Sequence, residues 1–444
     1  MKAGAAFFLA SRLAGPSGKG SPATRSRGRS GSARHIRGAI LGIALSLVPF
    51  VLVLLVADGM IRGISDRYLE TWTYHFQAES LGPTSLADAD RAAATLAALP
   101  GVTFAAPEIR GAALAVHAGV SAPALLRGID EATIDEPGMQ RYLRLVAGKR
   151  RLQGRDALVG SETAQKLGVG VGDSFVVLTG GAEGAGARTS LFRVAGIVSA
   201  GYRDLDELWI FVPRAVADRI LPATARQDIV GVKVRDAYRN PDPEVRRFES
   251  ALSAKGGGGD FSDWIVRPWR DLERNLFASF QTTRALLVVI MCLSVLVAAA
   301  NVSSALVMIV LERSKDIAII KAAGASPNFV AAVFLIAGGG VGVAGSVAGV
   351  GIGALAAWKV NELIGGIELA LDLIAGFASR LGGGVAAPIH LLDPAYYLQR
   401  IPVRVDFAEL LVVAGLSILL SVTASLLPAL RAARLPPLEI MRKT

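Results

Sequence analysis

The sequence predicts an α-helical membrane protein with four transmembrane helices in a 1+3 arrangement and a large mixed α+β periplasmic domain between the first and second. Two observations carry this reading. The chain is 52% hydrophobic and only 19% charged, a balance uncommon in soluble domains. The apolar bias gathers in four uncharged runs: Ala39–Ala57 with 19 residues, Ala285–Leu311 with 27, Phe329–Trp358 with 30 and Leu410–Leu430 with 21. Each meets the roughly 20 residues needed to cross a bilayer. At about 1.5 Å per residue the second run covers roughly 40 Å, so that helix tilts or protrudes. Pro49 removes a hydrogen bond inside the first and is expected to kink it.

Charge sets the orientation. The arm before the first run, residues 1–38, holds eight basic residues and no acid, the segment 312–328 three basic and two acidic, and the tail 431–444 four basic and one acidic. The rest of the chain therefore holds a slight acidic excess within a total of +10. By the positive-inside rule the arm, this segment and the tail are cytoplasmic, and residues 58–284 and 359–409 face the other side. The basic balance thus follows from topology and attraction to anionic membrane lipid, and nucleic acid is not an expected partner. The Ser/Gly/Arg-rich stretch 17–34 reads as a disordered arm. Ala3–Ala10 is too short and too soon interrupted for a signal peptide and reads as an uncleaved interfacial segment.

The domain 58–284 is long enough for one large or two modest units. Helices are expected over Asp88–Leu99 and Pro213–Ile220, and strands over Phe175–Leu178 and Phe192–Val198. Gly256–Gly259 reads as a loop tip or linker. Between the two strands, Thr179–Ser190 is a glycine-rich hairpin loop of about twelve residues, either a flexible connection or a partner-contacting finger. The third run repeats Gly338, Gly342, Gly345, Gly349 and Gly353 at helical spacing, which lets a neighbouring helix approach closely, within one bundle or across a dimer seam.

Catalytic chemistry is not evident. His35, His75, His117 and His390 are scattered without metal-ligand spacing, and Cys292 lies inside an apolar run where a thiol is normally inert. A single cysteine also rules out an internal disulfide. Gly181–Arg188 has Ala187 where a phosphate-binding loop would need lysine. The four runs lack Asp, Glu, Lys, Arg and His, so an ion or proton path is not expected through them. Energy must come from another subunit.

Glu312–Ser326, ERSKDIAIIKAAGAS, is a charged turn between the two longest apolar runs and must leave the hydrocarbon. Its residues Glu312, Arg313, Asp316, Ile317, Ala318, Ile319, Ile320, Lys321, Gly324, Ala325 and Ser326 resemble the cytoplasmic coupling segment of ABC transporter permeases of the MacB/FtsX type. The ending Leu426–Arg442, with Pro428, Arg431, Ala432, Ala433, Pro437 and Glu439, is similar to that superfamily's. Leu158–Leu178, Phe192–Pro213 and His390–Asp406 resemble the lipoprotein-releasing (LolC/LolE-like) family within it.

The resemblance implies a non-catalytic permease of the bacterial inner membrane. It would bind no cofactor itself and be powered by ATP on a separate ABC ATPase dimer docked on Glu312, Arg313, Lys315, Asp316, Ile319, Lys321 and Gly324. It further implies a second permease chain, identical or related, and a lipoprotein substrate whose acyl chains enter a cavity between the first and second spans. The lining is expected from Phe50, Leu54, Met60, Ile61, Phe277, Phe280, Leu287 and Met291. A periplasmic lipoprotein carrier would engage the hairpin through Gly180, Gly181, Glu183 and Arg188, although this loop lacks the proline of the family's hook. The alternative is a MacB/FtsX-type mechanotransmission permease serving peptide or drug efflux or control of a periplasmic hydrolase.

Overall fold

The computed structural model describes residues 29–82, 84–180, 188–253, 263–312, 314–382, 403 and 405–434. The described residues divide into a helical unit, within 29–60, 281–382 and 403–434, and a sheet unit, within 61–280.

Among the described residues four helices are long and apolar enough to cross a membrane: Ile36–Thr71, Arg274–Glu312, Pro327–Trp358 and Phe407–Arg434. The first belongs to an unbroken helix Arg29–Thr71 that contains Pro49, and the fourth is interrupted at Ser425 between Phe407–Ala424 and Leu426–Arg434. Each exceeds its uncharged run because polar residues continue the helical hydrogen bonding past the apolar stretch. Residues 359–409, expected as a loop, contain a further helix Val360–Gly382. There Leu363, Ile364, Ile367, Leu371 and Ile374 recur at helical spacing.

The glycines of the third membrane helix are close approaches to two different neighbours in the same chain. A Cβ on Gly345, Gly349 or Gly353 would come within 2.7, 2.7 and 2.8 Å of the Cβ of Ile43, Leu47 and Val51 on the first helix. One on Gly342 would lie 2.7 Å from the Ser421 Cβ of the fourth, and one on Gly338 would collide with Ser425. Ser421 Oγ donates to the Gly338 carbonyl at 3.0 Å. Small residues and hydroxyl bonds thus take the place of hydrophobic driving force, which vanishes in lipid. At one end, Arg284 reaches the carboxylates of Asp58, at 3.8 Å, and Glu409, linking three membrane helices.

Among the described residues the sheet unit has ten strands: β1 Phe76–Ser80, β2 Val102–His117, β3 Val120–Ile129, β4 Arg144–Gly148, β5 Asp156–Gly160, β6 Ser174–Thr179, β7 Arg188–Ser199, β8 Trp209–Pro213, β9 Arg226–Val234 and β10 Trp264–Pro268. Four of them run β10-β1-β9-β2, all antiparallel neighbours. With helices Leu86–Ala97 and Asp242–Ser253 between β1 and β2 and between β9 and β10, this is the split β-α-β order. Phe76, Ala92, Leu96, Val230, Val232, Phe248, Leu252 and Val266 form its core.

Between the second and third of those strands the chain inserts a second element. Pairings β2-β3-β8-β5-β7 continue through β6, which bonds both β7 and β2, so six strands close a ring. Ile109, Leu126, Val159, Phe175, Val177, Phe192, Val194 and Ile210 fill it, and closure leaves these strands without a free edge. β2, at 16 residues, is long enough to serve both the ring and the four-stranded sheet.

Predicted helices and strands fall on observed ones with shifts of a few residues. Strand pairing takes in both ends of the expected hairpin loop: β6 and β7 pair up to Thr179 with Arg188, and residues 181–187 lie outside the described residues. Thr179, Thr189 and Ser190 are good strand residues that extend the pairing. The Gly256–Gly259 linker lies outside the described residues.

Candidate functional site: the coupling segment

Glu312–Ser326 is more ordered than a simple turn. It consists of a helix Ser314–Ala322, a tight turn and the start of the third membrane helix at Pro327. Gly324 has φ +94°, and two bonds close the turn: Gly324 N–H to the Lys321 carbonyl at 3.0 Å and Ala325 N–H to Ile320 at 3.2 Å. This is the Schellman arrangement, which needs a left-handed residue and therefore favours glycine. Two residues on, Ser326 Oγ accepts from Phe329 N–H at 3.3 Å and Pro327 opens the helix, the favoured N-cap and N1 residues. Gly324, Ser326 and Pro327 are thus stop and start signals.

The helix between them has two unlike sides. Ile317 is buried in a cluster with Ala429 and Ala432 of the helix Leu426–Arg434, and Ala318 beside it is buried too. Lys321 Nζ donates to the Ala433 carbonyl at 2.9 Å, placing a cation on a C-terminal turn where helix carbonyls lack partners. On the other side Ile319 is 61% exposed, and Glu312, Ala322, Ala323 and Gly324 are exposed too. Of the expected dock, Lys321 is bound to the chain's own closing helix, while Glu312, Ile319 and Gly324 stand on the open surface. Lys315 and Asp316 lie on the same helix, and Arg313 lies outside the described residues.

The remaining expected sites are distributed as follows. Phe50, Leu54 and Met291 meet in the core of the helical unit, with Met60 and Leu287 partly buried. Ile61, Phe277 and Phe280 belong to the sheet unit, where the Phe277 ring lies 4.5 Å from Trp269 and 6.0 Å from Phe280. On the hairpin, Gly180 is exposed and Arg188 Nη1 donates to the Arg219 carbonyl at 3.2 Å; Gly181 and Glu183 lie outside the described residues. Among the described residues no His, Cys, Asp or Glu cluster has metal-binding geometry.

Two family models match the chain in this arrangement. The MacB-like periplasmic core domain covers residues 38–242 and the FtsX-like permease C-terminal covers 288–437. Sheet unit and membrane helices each match the corresponding part of one class, the MacB/FtsX-type permeases. Full-length relatives narrow this. The lipoprotein-releasing system transmembrane protein LolC of Xylella fastidiosa is 27% identical over 94% of this chain and 96% of its own. LolC of Neisseria meningitidis is 28% identical over 91% and 93%, and LolE of Haemophilus influenzae 24% over 90% and 92%. Along more than nine-tenths of its length the chain is thus similar to lipoprotein-releasing (LolC/LolE-like) permeases of ABC systems.

Proposed function

We propose that this chain is the permease subunit that releases lipoproteins from the inner membrane for outward delivery, driven by an ATPase docked on Glu312–Ser326. The observation that carries the reading is similarity to named lipoprotein-releasing permeases along more than nine-tenths of the chain. The exposed face around Ile319, backed by a helix pinned through Ile317 and Lys321, supports the docking part. Each acyl CH₂ drawn from bilayer to water costs about 0.8 kcal/mol, so a multiply acylated protein does not leave unaided. Force must be supplied by a machine.

In this reading ATP binds only to the partner subunit, both termini and the coupling segment are cytoplasmic, and the sheet unit is periplasmic. A second permease chain completes the assembly, and acyl chains pass between the first and second membrane helices. The loop Thr179–Ser190 receives a soluble carrier. Depletion in the source bacterium tests the proposal: mature lipoproteins should accumulate in the inner membrane fraction. Normal lipoprotein sorting together with a defect in drug or peptide export would move the chain to the efflux reading.

A further inference from the structure

A buried ionic cluster sits in the sheet unit where the helix Arg29–Thr71 ends, and the coupling and cavity assignments leave it unused. Arg110 on β2 and Arg127 on β3 are directly paired, an arrangement that ordinarily repels. Glu108, two residues before Arg110, resolves it. The Glu108 and Arg127 side chains are 0% exposed and that of Arg110 is 4%. Glu108 Oε1 accepts from Arg127 Nε at 2.6 Å and Arg110 Nε at 2.8 Å; Oε2 accepts from the Tyr74 hydroxyl at 2.8 Å and from Arg127 and Arg110 Nη2 at 3.0 and 3.1 Å. Burial alone would raise the Glu108 carboxyl, but the two guanidiniums outweigh it and hold the group at about 2.

One carboxylate cannot neutralise two guanidiniums. The surplus is met by the end of the helix: Arg127 Nη1 donates to the Thr71 carbonyl at 2.7 Å and Arg110 Nη2 to the Trp72 carbonyl at 2.6 Å. These carbonyls are the ones left over at a helix C-terminus, at the negative end of its dipole. Arg110 also stacks 3.9 Å from the Trp72 ring, and Arg127 lies 4.7 and 4.8 Å from Trp209 and Phe211, faces that favour cations. Trp72 Nε1 donates to Glu273 Oε1 at 2.8 Å, immediately before the helix Arg274–Glu312 begins. The cluster therefore holds the last residues of one membrane helix to the sheet, with a bond onward to the residue preceding another.

A buried ion cluster is a poor way to gain stability, since apolar replacements of similar volume often do as well or better. What it supplies is direction, namely bonds from fixed strands to two particular carbonyls. We infer that Glu108, Arg110 and Arg127 are positioning residues for lipoprotein release, locking the end of the first membrane helix to β2 and β3 so that its displacement moves the sheet instead of fraying the helix. This rests on the transport function proposed above.

The test is the full-length protein carrying E108M, R110L and R127L together, reconstituted with its ATPase in vesicles holding a radiolabelled triacylated lipoprotein. Thermal stability and ATP hydrolysis are expected to stay close to wild type while release falls about tenfold, the size of a typical coupling between sites. Amide exchange over Tyr68–Thr73 should quicken. Release at the wild-type rate, or unchanged exchange, overturns the inference. Arg110→Lys, which keeps the charge but cannot serve both Glu108 and Trp72, provides a gentler variant; a wild-type rate of release there refutes the lock as well. If wild-type vesicles release no lipoprotein on ATP addition, the transport reading fails, and the exchange measurement still decides the lock.

Discussion

Replacing Ile319 with aspartate separates docking from folding, because the structure puts that side chain outside and its neighbour inside. Fully burying an isoleucine is worth about 1.5–3 kcal/mol. Ile319 is 61% exposed, so a partner covering the open part gains about 1–2 kcal/mol, or about 5- to 30-fold in affinity. The carboxylate adds a desolvation cost at the same spot. Ile319→Asp is therefore expected to weaken ATPase association by at least about tenfold while leaving the thermal midpoint of the permease unchanged. Ala318→Asp is the control: Ala318 is 2% exposed, and an unpaired buried charge there should destabilise the chain itself. Co-purification with the ATPase and a parallel melting curve in detergent read both effects. Undiminished ATPase association in Ile319→Asp would refute the docking assignment.

Other expectations follow from the same packing. Gly324→Ala forces alanine into φ +94° and should cost about 1 kcal/mol, with faster amide exchange over Ile320–Ser326. Gly349→Leu places bulk where even a Cβ meets Leu47 at 2.7 Å and the Ala44 backbone at 3.1 Å; it should lower the melting midpoint far more than Gly351→Leu, where nothing lies within 4 Å. Asp206 is buried in the sheet unit and accepts from Ser199 Oγ and Ala200 N–H, both at 2.6 Å. Burial raises its carboxyl from 3.8 to about 6 against those bonds. The folded state then binds the extra proton, so this group's contribution is present below about pH 4 and falls by about 3 kcal/mol as pH rises through about 6. Asp206→Asn should flatten that slope in denaturant titrations followed by tryptophan fluorescence.

The four membrane helices were legible because absence of charge over about 20 residues is a local property. Their true lengths were not: Arg62–Thr71 is polar, and it stays helical as part of the sheet unit rather than of a bilayer span. The strands Ser174–Thr179 and Arg188–Ser199 showed in their β-branched and aromatic alternation, but closure of the ring depends on β6 reaching β2, some sixty residues away, which no local pattern records. In Glu312–Ser326, Gly324 and Ser326 resembled family positions; their work as helix stop and cap, and the turning of Lys321 onto Ala433, required the backbone. Glu108, Arg110 and Arg127 escaped notice altogether. Charged residues inside otherwise apolar strands were the available signal, and their partners Thr71 and Trp72 lie far off in sequence.

Release of a radiolabelled triacylated lipoprotein from vesicles containing this permease and its ATPase tests the transport function most directly. Addition of ATP and a soluble carrier should move label from the vesicle fraction to the supernatant. Continued ATP hydrolysis with all label left in the membrane would contradict it.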